Sequence, residues 1–443
     1  MGIKNYCSNL LDLYKNISSK KSPSNIDLLC IDINTILHNI CNKSINNEQF
    51  ESNLIKELTQ IVKKFNPKEI ALFADGQAPL AKAKLQIKRR QKYLYDKPSG
   101  ISTLNLTPGT IFMDSVDDII KNFLKKINLP SFYSSSKENN EGELKLFSYI
   151  INKKLFDKKI CIYGDDSDII VLSLFNTPIL NLYIYNNHKF ISLFKLVQNL
   201  SELSEIQYNF KYHPIRKDFA LLSLFLGNDY NKNISNFKNL LNAYKKFKIN
   251  NNGFLFIKNG HLNLKNLKIL FENLPYNNND SEYSQNNVNE YFNSIIWNLK
   301  LYSGNIIPNY LPNYNINIKT ILKYFPDKIK IKKINPKWQD KNVYLLLLMP
   351  IIGKELIPKN IQHLMNDTSP IKDLFPNPCS ECIEFKKNIK KLMLDIENNE
   401  NNSEFKLFSN ELNIKYRLHL DDNHKIDILP IDRIYLALKN TFT

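Results

Sequence analysis

The residues of this chain best placed to do chemistry are acids that follow apolar runs. Leu28-Leu29-Cys30-Ile31 runs into Asp32, residues 70–74 run into Asp75, and residues 160–164 run into Asp165, Asp166 and Asp168. Glu141-Gly142-Glu143 stands just before a helical pattern, and Asp229 follows Gly227-Asn228 at the end of another. Any one of them is explained as a helix cap or a helix-dipole partner. Together they pose a problem, because each like-charged pair brought to 4 Å costs about 1–4 kcal/mol. Cations between them remove that cost. Oxygen ligands select Mg²⁺ or Mn²⁺ over zinc. Two such ions are the usual device for cutting a phosphodiester.

A second set is basic. Lys82, Gln86, Arg89 and Arg90 follow Asp75 at offsets that fall on one side of a helix. Two guanidiniums, an ammonium and an amide suit a terminal phosphate, which has several oxygens to satisfy.

The elements that must position these groups alternate between strand and helix patterns over residues 1–275. The apolar runs before Asp32, Asp75 and Asp166 read as buried parallel strands. Another strand is expected over residues 179–185. Helical periodicity appears over residues 50–65, 116–124 and 144–151, and residues 219–227 read as a buried helix ending at a glycine. The expected class is α/β: a parallel-rich twisted sheet flanked by helices, with ligands bound beyond the strand C-termini. Residues 276–290 are mostly Asn, Asp, Ser and Gln and read as a linker. Residues 291–378 read as a mainly helical second region packed on the first, and residues 379–443 as a C-terminal extension without a clear pattern.

The chain has 443 residues, 43% of them hydrophobic, and a formal net charge of +17. That charge suits a polyanionic partner, although its Lys, Asn and Ile richness also fits a coding bias. No apolar run approaches membrane-spanning length and no signal pattern opens the chain, so an intracellular protein without a membrane partner is expected, cytoplasmic rather than nuclear and monomeric. Met1-Gly2 begins a myristoylation pattern, but Tyr6 stands where Ser or Thr is wanted. Six scattered cysteines suggest no disulfide framework. Cys379 and Cys382 form one C-x-x-C with His419 and His424 downstream; a single such pair does not identify a zinc site, and none is read here.

The motifs, taken in order, resemble the XRN family of 5′→3′ exoribonucleases within the 5′-nuclease superfamily. They are Met1-Gly2-Ile3, Ile31-Asp32-Ile33-Asn34 with His38 beyond, and Ala74-Asp75-Gly76-Gln77-Ala78-Pro79-Leu80-Ala81-Lys82 continuing to Gln86, Arg89 and Arg90. Then follow Thr107-Pro108-Gly109-Thr110-Ile111-Phe112-Met113, Glu141-Gly142-Glu143, Tyr163-Gly164-Asp165-Asp166-Ser167-Asp168, Gly227-Asn228-Asp229, and residues 354–359 with Leu364-Met365. The resemblance spans residues 1–376. It implies a 5′-nuclease/PIN-like core, and a metal site of Asp32, Asp75, Glu141, Glu143, Asp166, Asp168 and Asp229, with Asp165 outside it. It also implies a 5′-monophosphate pocket of Lys82, Gln86, Arg89 and Arg90. His38 matches a residue that stacks on a base. The implied activity is two-metal hydrolysis of 5′-monophosphorylated single-stranded RNA, releasing mononucleotides, with capped or triphosphate ends rejected.

Departures from the family pattern are local. Asn139-Asn140 replace a Pro-Gly, and Leu144 replaces a histidine. Asn309 stands where the family has a base-stacking Trp, leaving Tyr310 as the candidate stack opposite His38. Trp297 matches a helix Trp of the core. Two other readings share some of these features. A flap-endonuclease-like DNA nuclease would carry a Gly-rich helix-turn-helix after the last acid, but residues 231–237 contain no glycine. A catalytically weak RNA-binding scaffold would tolerate the missing Trp but not require intact acids.

Overall fold

The computed structural model describes residues 2–95, 100–204, 208–251, 253–256, 261–398, 403–424 and 428–440. Two compact units emerge, and the chain weaves between them. The first comprises Met1–Leu37, Leu54–Lys82 and Ile119–Trp338; the second comprises His38–Asn53, Ala83–Asp118 and Gln339–Thr443.

The first unit is built on a seven-stranded sheet. Its strands are β1 (Ser18–Ser19), β2 (Leu28–Asp32), β3 (Glu69–Phe73), β4 (Ser131–Ser134), β5 (Ile160–Tyr163), β6 (Leu182–Asn186) and β7 (Lys189–Ser192). Their order is β1-β7-β6-β5-β2-β3-β4. β2 pairs in parallel with both β3 and β5, and every one of its residues is buried. A strand covered on both faces must be apolar throughout, which is why Leu28-Leu29-Cys30-Ile31 shows no alternation. Full burial of one such Leu or Ile side chain stabilises by about 1.5–3 kcal/mol.

Register decides where the acids end up. Asp32 lies opposite Phe73, and Ile31 opposite Tyr163. The chain beyond each of these three neighbouring strands therefore leaves the sheet at one edge, carrying Asp32, Asp75 and the 165–168 acids. The helices Gly142–Asn152 and Asp168–Phe175 carry Glu143 and Asp168 in their first turns. Ile215–Phe225 is the expected buried helix, ending before Gly227. Gly227 has φ +81°, and a Cβ there would meet the Asn233 backbone at 2.6 Å, so glycine is required at this turn. Asn228 then accepts hydrogen bonds from the Tyr230 and Asn231 amides at 3.0 and 2.8 Å, fixing the loop that presents Asp229.

Some elements differ from the sequence expectation. β4 and β7 lack a continuous apolar run; β7 exists because Asn187 and His188, both at positive φ, turn β6 back on itself. The expected linker at 276–290 is not a boundary. It lies within the first unit, and its last residues open the helix Gln285–Tyr302, whose Tyr291, Phe292 and Ile295 are buried. Of the Asn-rich stretch near residue 400, positions 399–402 fall outside the described residues.

The second unit is helical. Lys341–Leu348 packs on Ala83–Gln91 and on Ile431–Lys439, and the long helices Ser380–Asn398 and Ser403–Asn423 pack on each other. Among the described residues, no helix is long and apolar enough to cross a membrane.

Candidate metal centre

Two side chains bridge the acids of the first unit. The Asn34 amide donates to Asp32 Oδ1 and to Asp75 Oδ1, both at 2.7 Å. Asp75 Oδ1 also accepts from the Gly142 amide at 2.7 Å, which ties the end of β3 to the start of the Glu143 helix. Gly76 makes this approach possible: its amide donates to the Asn140 carbonyl, and any Cβ there would collide with the Glu138 carbonyl. The second bridge is Lys82, whose ammonium contacts Glu141 and stands 3.0 Å from Asp229. The Tyr230 hydroxyl donates to the other oxygen of Glu141. Asp166 Oδ1 accepts from the Asp168 amide at 2.9 Å. Asp168 Oδ1 is buried and accepts no hydrogen bond. Gly2, at φ +38°, lies directly against Asp166, Ser167 and Asp168, where a Cβ would strike all three side chains.

The electrostatics follow from burial and crowding. Burial first, then the charge of Asp75, pushes Asp32 up to about 7, against the hydrogen bonds from Asn34. Burial raises Glu141 to about 7 although Lys82 opposes it. Glu143 is held well above the carboxylate range by burial and by Glu141, and Asp168 by burial and by Asp166. Burial works against the charge of Lys82, but Glu141 and Asp229 outweigh it and raise its pKa. Acids from β2, β3 and β5, from the Glu143 helix and from the Asp229 loop thus all sense one another. Their oxygens form a hard donor set, and the buried Asp168 Oδ1, which accepts no hydrogen bond, is the kind of oxygen a divalent cation would take as a ligand. The residues fit a divalent metal.

A pH effect follows. A carboxyl whose folded pKa is raised binds its proton more tightly in the folded chain. Its stabilisation is complete below its unfolded pKa and is lost as pH rises through about 7. The metal-free protein should therefore melt at a lower temperature at about pH 8 than at about pH 5, by a few kcal/mol of stability. Mg²⁺ or Mn²⁺ must displace those protons, so each should raise the melting temperature more at the higher pH. Equal shifts at both pH values would mean that these carboxyls do not hold the ion.

The basic residues divide. Lys82 closes the 3-10 turn Leu80–Lys82, started by Pro79, and is 8% exposed among the acids. The helix proper begins at Ala83, so counting a helical face from Lys82 misplaces it. Gln86, Arg89 and Arg90 belong to the second unit. There, Gln86 accepts from the Tyr344 hydroxyl at 2.8 Å, and Arg90 donates to Thr107 Oγ1 at 2.8 Å and to the Gln86 carbonyl at 3.2 Å. Thr107 thus orients a guanidinium, while Thr110 accepts from the Met113 amide and starts the next helix. His38 is exposed on the helix Asn34–Lys43.

Tyr310 does not serve as an open stacking ring. It is 1% exposed, packs on Trp297 with centroids 5.1 Å apart, and donates to the Glu290 carbonyl. An aromatic in a Pro- and Asn-rich segment looked available, but Trp297, held in the core by its bond to the Ile307 carbonyl, covers it. Sequence reasoning assigned no role to Asn34 or Tyr230. Asn34 had a usable signal, an amide two residues past a strand-end acid; Tyr230 had none.

Comparison with known proteins agrees with these motifs. The family model described as XRN 5'-3' exonuclease N-terminus matches residues 1–100 and 96–186. The chain is 25% identical over 295 residues to 5'-3' exoribonuclease 1 of Saccharomyces cerevisiae, covering 52% of this chain and 19% of that protein. It is 27% identical over 264 residues to the Schizosaccharomyces pombe protein of the same name, covering 46% and 20%. The match therefore spans about a fifth of either relative. Among solved structures, the catalytic core of Rad2 with DNA is 13% identical at a TM-score of 0.38, covering 71% of this chain and 90% of that one. The bacteriophage T5 D15 flap endonuclease, in a complex with DNA and metal ions, is 12% identical at 0.32, covering 63% and 88%. Scores this low do not equate the folds.

Proposed function

Taking as premise that this chain is XRN-like in its N-terminal part, we propose that it is a 5′→3′ exoribonuclease acting on single-stranded RNA with a 5′-monophosphate. The observation that carries this reading is the bridged set of acids at one sheet edge, with Lys82 among them. Asp32, Asp75, Glu141, Glu143, Asp166, Asp168 and Asp229 would hold divalent cations, Mg²⁺ or Mn²⁺, two in the two-metal reading. When bound, such ions supply a nucleophilic water at neutral pH and neutralise charge on the scissile phosphate.

The chain's own residues do the rest. Asn34 keeps Asp32 and Asp75 at a fixed separation. The Gly142 amide holds Asp75 in place, and the Asp168 amide holds Asp166. Tyr230 and Lys82 orient Glu141. Lys82 also carries the positive charge that a phosphate entering this acidic edge must meet. Arg89 and Arg90, with Gln86, supply a guanidinium pair and an amide for a terminal monophosphate, and Thr107 fixes the plane of Arg90. His38, exposed on its helix, would supply one wall of a base stack. The buried ring of Tyr310 leaves the opposite wall of such a stack unassigned.

The test compares end groups. One RNA sequence carrying a 5′-monophosphate, 5′-hydroxyl or 5′-triphosphate, a single-stranded DNA and a DNA flap are each incubated with Mg²⁺ or Mn²⁺, and products are sized. The monophosphorylated RNA should disappear fastest, into mononucleotides. Arg89→Ala should reduce the preference for monophosphate over hydroxyl about tenfold, the loss of one charge-assisted contact of about 1.5–3 kcal/mol. Preferential flap cleavage would overturn the proposal. An unchanged end preference in the variant would remove Arg89 from the phosphate site.

A further inference from the structure

The second unit carries a group of ligands that the nuclease reading does not use. Cys379 and Cys382 lie at the start of the helix Ser380–Asn398; His419 and His424 lie at the far end of Ser403–Asn423. In the folded chain their ligand atoms all fall within 4.8 Å of one another. Cys379 Sγ is 3.5 Å from His419 Nε2, and Cys382 Sγ is 3.4 Å from His424 Nε2. Two thiolates and two imidazoles around one tetrahedral zinc, at Zn–S of about 2.3 Å and Zn–N of about 2.05 Å, stand about 3.6 Å apart. The observed separations match that geometry. The sequence had not assigned zinc here, because one C-x-x-C is weak and nothing in it shows that two helices return the histidines to the cysteines.

We propose that Cys379, Cys382, His419 and His424 bind one zinc ion in a closed, structural site. The surroundings support it. Glu381 Oε2 stands 3.1 Å from His419 Nδ1, so the carboxylate accepts from the N–H on that nitrogen and leaves the Nε2 lone pair for the ion. The Tyr95 hydroxyl bonds to Cys382, adding a donor that a thiolate accepts. Cys382 itself is buried, and neither cysteine is in a disulfide. Four protein ligands leave no open position, which separates this site from a catalytic one. Zn²⁺ with two thiolates and two neutral imidazoles carries no net charge, and two thiol protons are released on binding.

Among the described residues, the helix pair leaves several large apolar side chains in solvent. Ile383, Met393, Leu394, Ile414 and Leu418 are all exposed. A hairpin with such exposed residues gains from a metal staple, whose binding energy becomes folding energy.

The experiment measures metal in the full chain, purified under reducing conditions without chelator. Inductively coupled plasma mass spectrometry should find one zinc per chain in the wild type and none in Cys379→Ser with Cys382→Ser. Cobalt exchanged into the wild type should give the intense visible bands of a tetrahedral thiolate complex. His424→Cys should keep one zinc and gain sulfur-to-cobalt charge transfer, so the proposal stays testable even if the double variant fails to fold. Zinc well below one per chain with no cobalt–thiolate absorption in the wild type would overturn it. So would full zinc retention in the double variant.

Discussion

Asp166→Asn with Asp168→Asn should abolish RNA degradation while RNA binding persists. Both side chains keep their size, and the carbonyl of an asparagine at 166 can still accept from the backbone amide of residue 168, which now meets Asp166 Oδ1 at 2.9 Å. What disappears is charge, two of the seven carboxylates that would neutralise divalent cations. A metal acting as Lewis acid is worth several kcal/mol at the transition state, so the loss should be on the order of a thousandfold or more. Phosphate and base contacts elsewhere are untouched, so a gel-shift or polarisation assay should give affinity near that of the wild type. The pair also repel one another when ionised, so its removal should leave metal-free melting at about pH 8 unchanged or higher. If variant and wild type degrade the RNA alike, the metal centre has been placed on the wrong residues.

The second large effect concerns Lys82. Its ammonium is buried between Glu141 and Asp229. Lys82→Met keeps the stem and deletes the charge, leaving buried Glu141 and part-buried Asp229 without their shared cation. Breaking one side of a buried ionic cluster costs about 3–5 kcal/mol. The pH dependence gives the sign. Without Lys82, which opposes the rise, Glu141 holds its proton more tightly still in the folded chain. The destabilisation should therefore be small at about pH 5 and grow towards about pH 8. Added Mn²⁺ should restore part of the loss at the higher pH, since it brings positive charge back to the same oxygens. Urea titrations at both pH values, with and without Mn²⁺, measure all of this. A loss of stability that is the same at both pH values would show that Lys82 acts through packing and not through its charge.

How far the sequence could be read depended on how local the signal was. The ends of β2, β3 and β5 were legible because a central parallel strand is apolar on both faces, and a run such as 28–31 can hardly be anything else. β4, with serine at both ends, gave no such run. Asp32, Asp75 and the 165–168 acids were legible because each stands at or just past the end of a strand. The direction of Lys82 was not, because a 3-10 turn at Pro79 shifts the start of the helix past it. Tyr310 and the Cys379–His424 group failed for a shared reason: burial of the one and assembly of the other depend on segments distant in sequence. The weave of the two units was likewise invisible, since no change of composition marks the crossings at residues 37, 53, 82, 118 and 338.

That weave has a consequence for how the protein comes into being. β2 is made early, yet its neighbour β5 and the loop bearing Asp229 are made much later, and a long stretch of the other unit is translated in between. A nascent chain that has not reached Asp229 holds Asp32 and Asp75 but lacks one of the two acids that Lys82 bridges. Its proposed metal centre is incomplete for as long as the chain on the ribosome stops short of that residue. Under the proposed function, the order of synthesis would work as a safety catch, with the site complete only once the last acid has been made and has folded onto the first.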